Sequence, residues 1–180
     1  MIPTKDQIYK LWEKYDFPPQ KRQHAEAVAL VAKMFIQRLA EKGYSVDGDV
    51  VLAAALLHDI DKNVPKEEHE QHPDAAVRVL QDEHMEEVAA LVAKHPVHTI
   101  LDQNQQPVTL TEKILFVADK MAKYEPLTID ERFGLWRSED LKEDDRMKLE
   151  KAYPLVKKLG SELFAMMDTT EEAFVKQVKT

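Results

Sequence analysis

Cysteine is absent from the chain. No disulfide can staple the fold and no thiolate can hold zinc, so any metal site must be built from histidine and carboxylate ligands. The same absence accords with a reducing compartment. Glycine occurs only 4 times in 180 residues, and alternating Val/Ile/Thr runs are scarce. Both shortages count against a sheet and favour an all-α fold. No apolar run is long enough to span a bilayer; the longest is the eight residues 50–57. Residues 1–6 lack the basic-then-apolar pattern of a secretion signal, so a cytoplasmic protein without a membrane partner is expected. Basic residues are not in excess either: the net charge is −8. That argues against general nucleic-acid binding through a basic surface. It leaves room for an anionic small substrate, because a metal and a few local Lys/Arg can reverse the field inside a pocket.

The helical segments can be read in order. Residues 4–15 form a first helix capped by Thr4, with Ile8, Leu11, Trp12 and Tyr15 as its apolar stripe. Pro18 and Pro19 end it. A long second helix covers residues 20–42, with Gly43 as its C-terminal signal and His24 on the inward face with Val28. A third covers residues 48–58, started by Ser45 or Asp47, and is apolar all round, as a buried helix is. Residues 60–71 read as a polar loop. Helices follow at 74–83 and 85–94, then a loop at 97–108. Thr109 or Thr111 starts a sixth helix that carries Asp119 on or near its inward face. Further helices are expected at 128–137, 144–167 and 171–178, with Pro154 kinking or dividing the second of these. The length suits one domain, residues 1–180. Its motif-bearing core is at about 20–125, and the C-terminal helices pack on it. Met147, Met166 and Met167 in that tail read as core or partner-facing packing.

The third helix ends in His58-Asp59-Ile60-Asp61-Lys62. Charge at the end of a buried helix is expected to be paired or metal-bound. His24, His58, Asp59 and Asp119 lie on three predicted helices, and a bundle core can bring them together. Each alone has an ordinary reading, as a hydrogen-bonded core histidine or an Arg-paired carboxylate. Together they make a mixed N/O ligand set. It suits Mn, Fe, Co, Ni or Zn better than an all-oxygen Ca or Mg site, though Mg is not excluded.

His24, then His58-Asp59, then Asp119 resembles the H…HD…D signature of the HD-domain metal-dependent phosphohydrolase superfamily. The resemblance implies a helical bundle holding a divalent metal on those four residues. It also implies hydrolysis of a phosphoester or phosphoanhydride, commonly in a nucleotide, by a metal-activated hydroxide. His72, before a small-residue helix, and His95, ending the next helix, are similar to the second-metal ligands of the binuclear diadenosine-tetraphosphate hydrolase-like subgroup. Asp59 would then be the bridge, and His98 the runner-up ligand. The chain departs from that subgroup at Pro96-Val97-His98-Thr99 and in the residues before Glu125-Pro126. Asp59 and Lys62 are the catalytic candidates, and Arg22, Lys62 and Lys120, beside the proposed ligands, the phosphate-contacting ones; the resemblance implies that role for Lys62, or else pairing with a carboxylate of the site. Asp61 is either a supporting acceptor or a solvated loop charge. Glu67 and Glu68 are candidate acids or bases. Arg132 and Arg137 could close the pocket, although a helix-surface role is the commoner fate for such residues. His69 and His84 read as surface residues. The expected partner is a small phosphorylated substrate, with a homodimer left open. A non-catalytic regulatory module and a di-iron oxygenase are the alternatives.

Overall fold

The computed structural model describes all 180 residues. Nine α-helices follow one another without a β-strand: α1 (Lys5–Lys14), α2 (Pro19–Glu41), α3 (Gly48–Leu57), α4 (Asp74–Asp82), α5 (Glu86–Val92), α6 (Leu110–Asp119), α7 (Ile129–Arg137), α8 (Glu143–Met166) and α9 (Glu171–Val178). The all-α expectation holds, and the boundaries agree with the sequence reading to within a few residues.

The helix starts have local chemical causes. Thr4, Thr109 and Thr128 each accept the backbone N–H three residues on, while Gln7, Glu112 and Glu131 reach back to the cap: three reciprocal capping boxes. Thr109, not Thr111, therefore starts α6, and Asp47, not Ser45, starts α3 by accepting from Val50 N. Gly43, at φ 85°, takes the left-handed position just beyond α2.

α3 is the hub. Val50, Val51, Ala53, Ala54, Ala55 and Leu57 are buried, and the helix packs against α1, α2, α5 and α6. Its small alanines let four neighbours approach, which accounts for the lack of any polar face. The Trp12 indole donates to Leu56 O at 3.0 Å and ties α1 to the end of this helix. One apolar cluster takes in side chains from all nine helices, so α8 and α9 share a core with the motif-bearing helices.

Three expectations change. Residues 60–71 and 97–108 are not plain loops: each opens with a 3-10 turn, at Ile60–Asn63 and Val97–Leu101. Ile60, Asp61 and Thr99 within them are buried. Pro154 does not divide α8, which runs unbroken past it. Pro154 faces solvent, where water can satisfy the carbonyl left without a donor. Ala152, Val156, Leu159 and Leu163 hold the helix to the core on the other side.

Candidate metal centre

Helix ends converge on one point. His24 comes from the first turns of α2, His58 caps the end of α3, and Asp59 follows it. His72 precedes α4, His95 follows α5, and Asp119 is the last residue of α6. All but His72 are buried. Each can reach inward because helix termini, unlike helix middles, bring their side chains to one end of the bundle.

The four imidazoles share one arrangement. His24 Nδ1 faces Lys123 O at 2.9 Å, His58 Nδ1 faces Ala55 O at 2.8 Å, and His95 Nδ1 faces Val92 O at 2.7 Å. A carbonyl oxygen can only accept, so each of these Nδ1 atoms carries the proton and donates it. His72 Nδ1 does the same to Asp61 Oδ2 at 3.2 Å. In a neutral ring with its proton on Nδ1 the Nε2 is left with a lone pair, and all four Nε2 atoms point inward; that of His24 also faces Asp119 Oδ1 at 3.1 Å, where a proton or a metal ion must stand between the two. His24 Nε2 and His58 Nε2 are 3.2 Å apart, and His72 Nε2 and His95 Nε2 are 3.0 Å apart. Facing lone pairs at that distance repel unless a cation lies between them. A proton is a poor candidate at His58 and His95. Burial pushes His58 down to about 4, against the opposing pull of Asp59 and Asp119, and pushes His95 well below the ordinary imidazole value. Adjacent nitrogens on an ion bound at about 2.0–2.1 Å stand roughly 2.8–3.4 Å apart in octahedral to tetrahedral geometry. The observed spacings fit that range.

The carboxylates complete two donor groups. Asp59 belongs to both: with His24 and His58 on one side, and with His72 and His95 on the other, the ligand atoms of each group lie within 4.8 Å of one another. Its Oδ2 is 3.9 Å from His58 Nε2 and its Oδ1 is 3.6 Å from His72 Nε2. Asp119 Oδ1 stands 3.1 Å from His24 Nε2 and 3.5 Å from His58 Nε2. Both acids are held ionised. Burial alone would raise them, but His58, Lys62 and Lys21 at Asp59, and Lys120, His24 and His58 at Asp119, bring each well below the ordinary carboxylate value. Asp61 is buried and holds His72, so it is a supporting acceptor and not a solvated loop charge. A carboxylate behind a ligating imidazole fixes its tautomer and orientation.

The cations separate into those inside and those outside. Lys62 Nζ is 2.9 Å from Asp59 Oδ1, and Lys21 Nζ is 3.0 Å from Asp59 Oδ2. Lys120 is fully enclosed; its amine donates to His95 O and to Asp119 Oδ2. Arg22 is not brought in. It donates to Phe17 O, Trp12 O and Glu13, and stacks on Trp12. Lys21 was the cation to look for. It lies three residues before His24 and so shares its face, whereas a residue two before does not. His98 lines the mouth of the cavity without joining the donor groups. His69, His84, Glu67 and Glu68 are exposed and outside it. Arg137 pairs with Glu150 on the surface at 2.7 Å. Arg132, by contrast, is buried and lines the cavity with Trp136, Leu141, Asp145 and Lys148. The sequence marks the Arg132–Trp136 pair only as neighbours on a helix, and gives no signal for Lys148. The cavity holds about 500 Å³.

Acid should destabilise the metal-stripped protein. The folded pKa of His58 lies below its ordinary value of 6.5. Its neutral ring therefore contributes fully above pH 6.5, and that contribution is lost as pH falls toward about 4. At 1.36 kcal/mol per pH unit the loss is on the order of 3 kcal/mol. Denaturant midpoints in chelator should drop clearly between pH 7.5 and pH 4.5. A constant or rising midpoint would contradict the buried neutral imidazole.

The sequence model of one family, described as HD domain, matches residues 22–124. That is more than half of the 180-residue chain, and it contains all six donor residues while ending before α7. No curated protein and no solved structure shows significant similarity to the chain. No helix is long and apolar enough to cross a membrane.

Proposed function

The chain belongs to the HD-domain family, and from that premise we propose that it is a metal-dependent phosphohydrolase acting on a small phosphorylated substrate, with nucleotides the first class to test. The observation that supports this most is the pair of donor groups sharing Asp59, with inward Nε2 atoms facing one another and lysines at the rim. His24, His58, Asp59 and Asp119 would hold one divalent ion; His72, His95 and Asp59 would hold a second. Bound there, such ions supply a water acidic enough to be hydroxide near neutral pH and a Lewis acid for a phosphoryl oxygen.

The protein's own groups have distinct tasks in this reading. Asp59 offers one carboxylate oxygen to each side. Lys62 and Lys21, already beside those oxygens, are the cations available to a phosphoryl group entering at the same place, and they donate without needing to lose a proton. Lys120, enclosed between His95 O and Asp119, fixes the positions of two ligand segments at the wall of the cavity. Asp61 keeps His72 in the tautomer that presents Nε2. The binuclear subgroup resemblance rests on His72 and His95 alone, and the dinucleotide substrate it implies is one member of the panel below.

The test is a panel of nucleoside mono-, di- and triphosphates, dinucleoside polyphosphates and simple phosphoesters, assayed with Mn or Co for released phosphate or nucleotide. Turnover that requires the metal and is abolished by chelator is expected. No turnover of any compound with any divalent ion would overturn the enzyme reading in favour of a binding module.

A further inference from the structure

Arg132 lies on α7, beyond the segment that marks the family, yet its side chain lines the cavity together with His24, Asp59 and Asp119. It is 8% exposed. Its Nε and Nη1 are enclosed without a hydrogen-bond partner. Three carboxylates exert a favourable field on it, and all are otherwise engaged. Glu139 is paired with Lys123 at 3.6 Å. Asp119 is held by Lys120, and Asp59 by Lys21 and Lys62. The guanidinium rests on the Trp136 ring, 3.9 Å from its centroid, which covers one face and leaves Nε and Nη1 without an acceptor. Arginine does not escape by losing its proton, and a buried charge without a partner is costly. An anionic ligand in the cavity would supply the missing acceptor. Lys148 of α8 and His98 line the same cavity, and a volume of about 500 Å³ exceeds what one phosphoryl group needs, lying within the range of whole-ligand pockets.

We propose that Arg132 is a specificity-determining residue: its guanidinium edge, with Lys148 lining the same cavity, takes a second phosphoryl group of the substrate, remote from the one at the His/Asp cluster. The substrate class is then a di- or oligophosphate and not a simple phosphomonoester. This rests on the phosphohydrolase reading of the same cavity. A planar fork matched to two phosphoryl oxygens is the recognition that arginine provides and lysine does not.

The test is calorimetric titration of the full-length, Mn-loaded protein with methylenediphosphonate, a diphosphate that cannot be hydrolysed at its bridge, and with orthophosphate. Metal content is measured on each sample. The wild type should prefer the diphosphonate. Arg132→Gln should lose that preference by at least roughly tenfold, the worth of one charge-assisted contact, while keeping its orthophosphate affinity and its metal. Arg132→Lys, which keeps the charge without the fork, should lose part of the preference, and it decides the matter if the glutamine variant does not fold. An unchanged preference in either folded variant, an equal loss for both anions, or a wild type with no preference would overturn the subsite. Hydrolysis of phosphomonoesters by a wild type without that preference would sink the subsite alone and leave the hydrolase standing. A preference lost in Arg132→Gln, in a protein that turns over nothing, would support the subsite and sink the hydrolase reading instead.

Discussion

Asp59→Ala is expected to remove both metal ions and all metal-dependent turnover. Asp59 is the one residue common to the two donor groups, so its loss takes a ligand from each. It also leaves Lys62 and Lys21, now 2.9 and 3.0 Å from its oxygens, beside four imidazoles with no central anion. A supporting residue behind a ligand already costs about 10–100-fold in metal affinity, and a shared ligand should exceed the top of that range. Elemental analysis after reconstitution and gel filtration should find well under one ion per chain, with circular dichroism showing the helices intact. Full occupancy in this variant would remove Asp59 from the site.

His95→Ala is expected to cost one ion, not two. His95 contributes its Nε2 to the group with Asp59 and His72, while His24, His58 and Asp119 stand together on the other side. The variant should therefore hold one metal per chain where the wild type holds two. Its turnover should fall at least about 100-fold, the upper end of the range for lost supporting groups. His24→Ala should take the other ion. If His95→Ala retained two ions, the second site would have to be built from other residues, with His98 the next imidazole along the cavity. If both variants lost everything, the two groups would be one cooperative site.

Much of this centre could be read from the chain because its ligands sit at helix ends, and helix ends leave signals. Leu57 and the alanines before it mark a buried helix, so His58-Asp59 at its terminus needed a reason for its charge. The Thr109–Glu112 box starts α6 and thereby puts Asp119 at the helix's last position. What the reading missed was the side on which isolated polar residues fall, although for Lys21 the helical spacing from His24 carries it. Arg22 and Lys21 are adjacent in sequence, but only Lys21 shares a helix face with His24; the other turns back to Trp12 and Glu13. Asp61 sits in a polar stretch, yet Ile60 pulls the short turn into the core and Asp61 goes with it, to be held by His72. Arg132 looks like a surface residue on a charged helix. It is buried against Trp136 at a cavity whose far wall comes from α8, a tertiary arrangement with no local trace. Pro154 misled for the opposite reason: a local rule was overridden by packing on one face and water on the other.

The inward-facing Nε2 atoms, in this reading, exist to hold divalent ions around Asp59. Anomalous diffraction from crystals of the full-length protein grown with Mn tests it most directly. Two peaks are predicted, one among His24, His58, Asp59 and Asp119, the other among Asp59, His72 and His95. A Mn-saturated crystal with no anomalous peak inside the histidine cluster would contradict it.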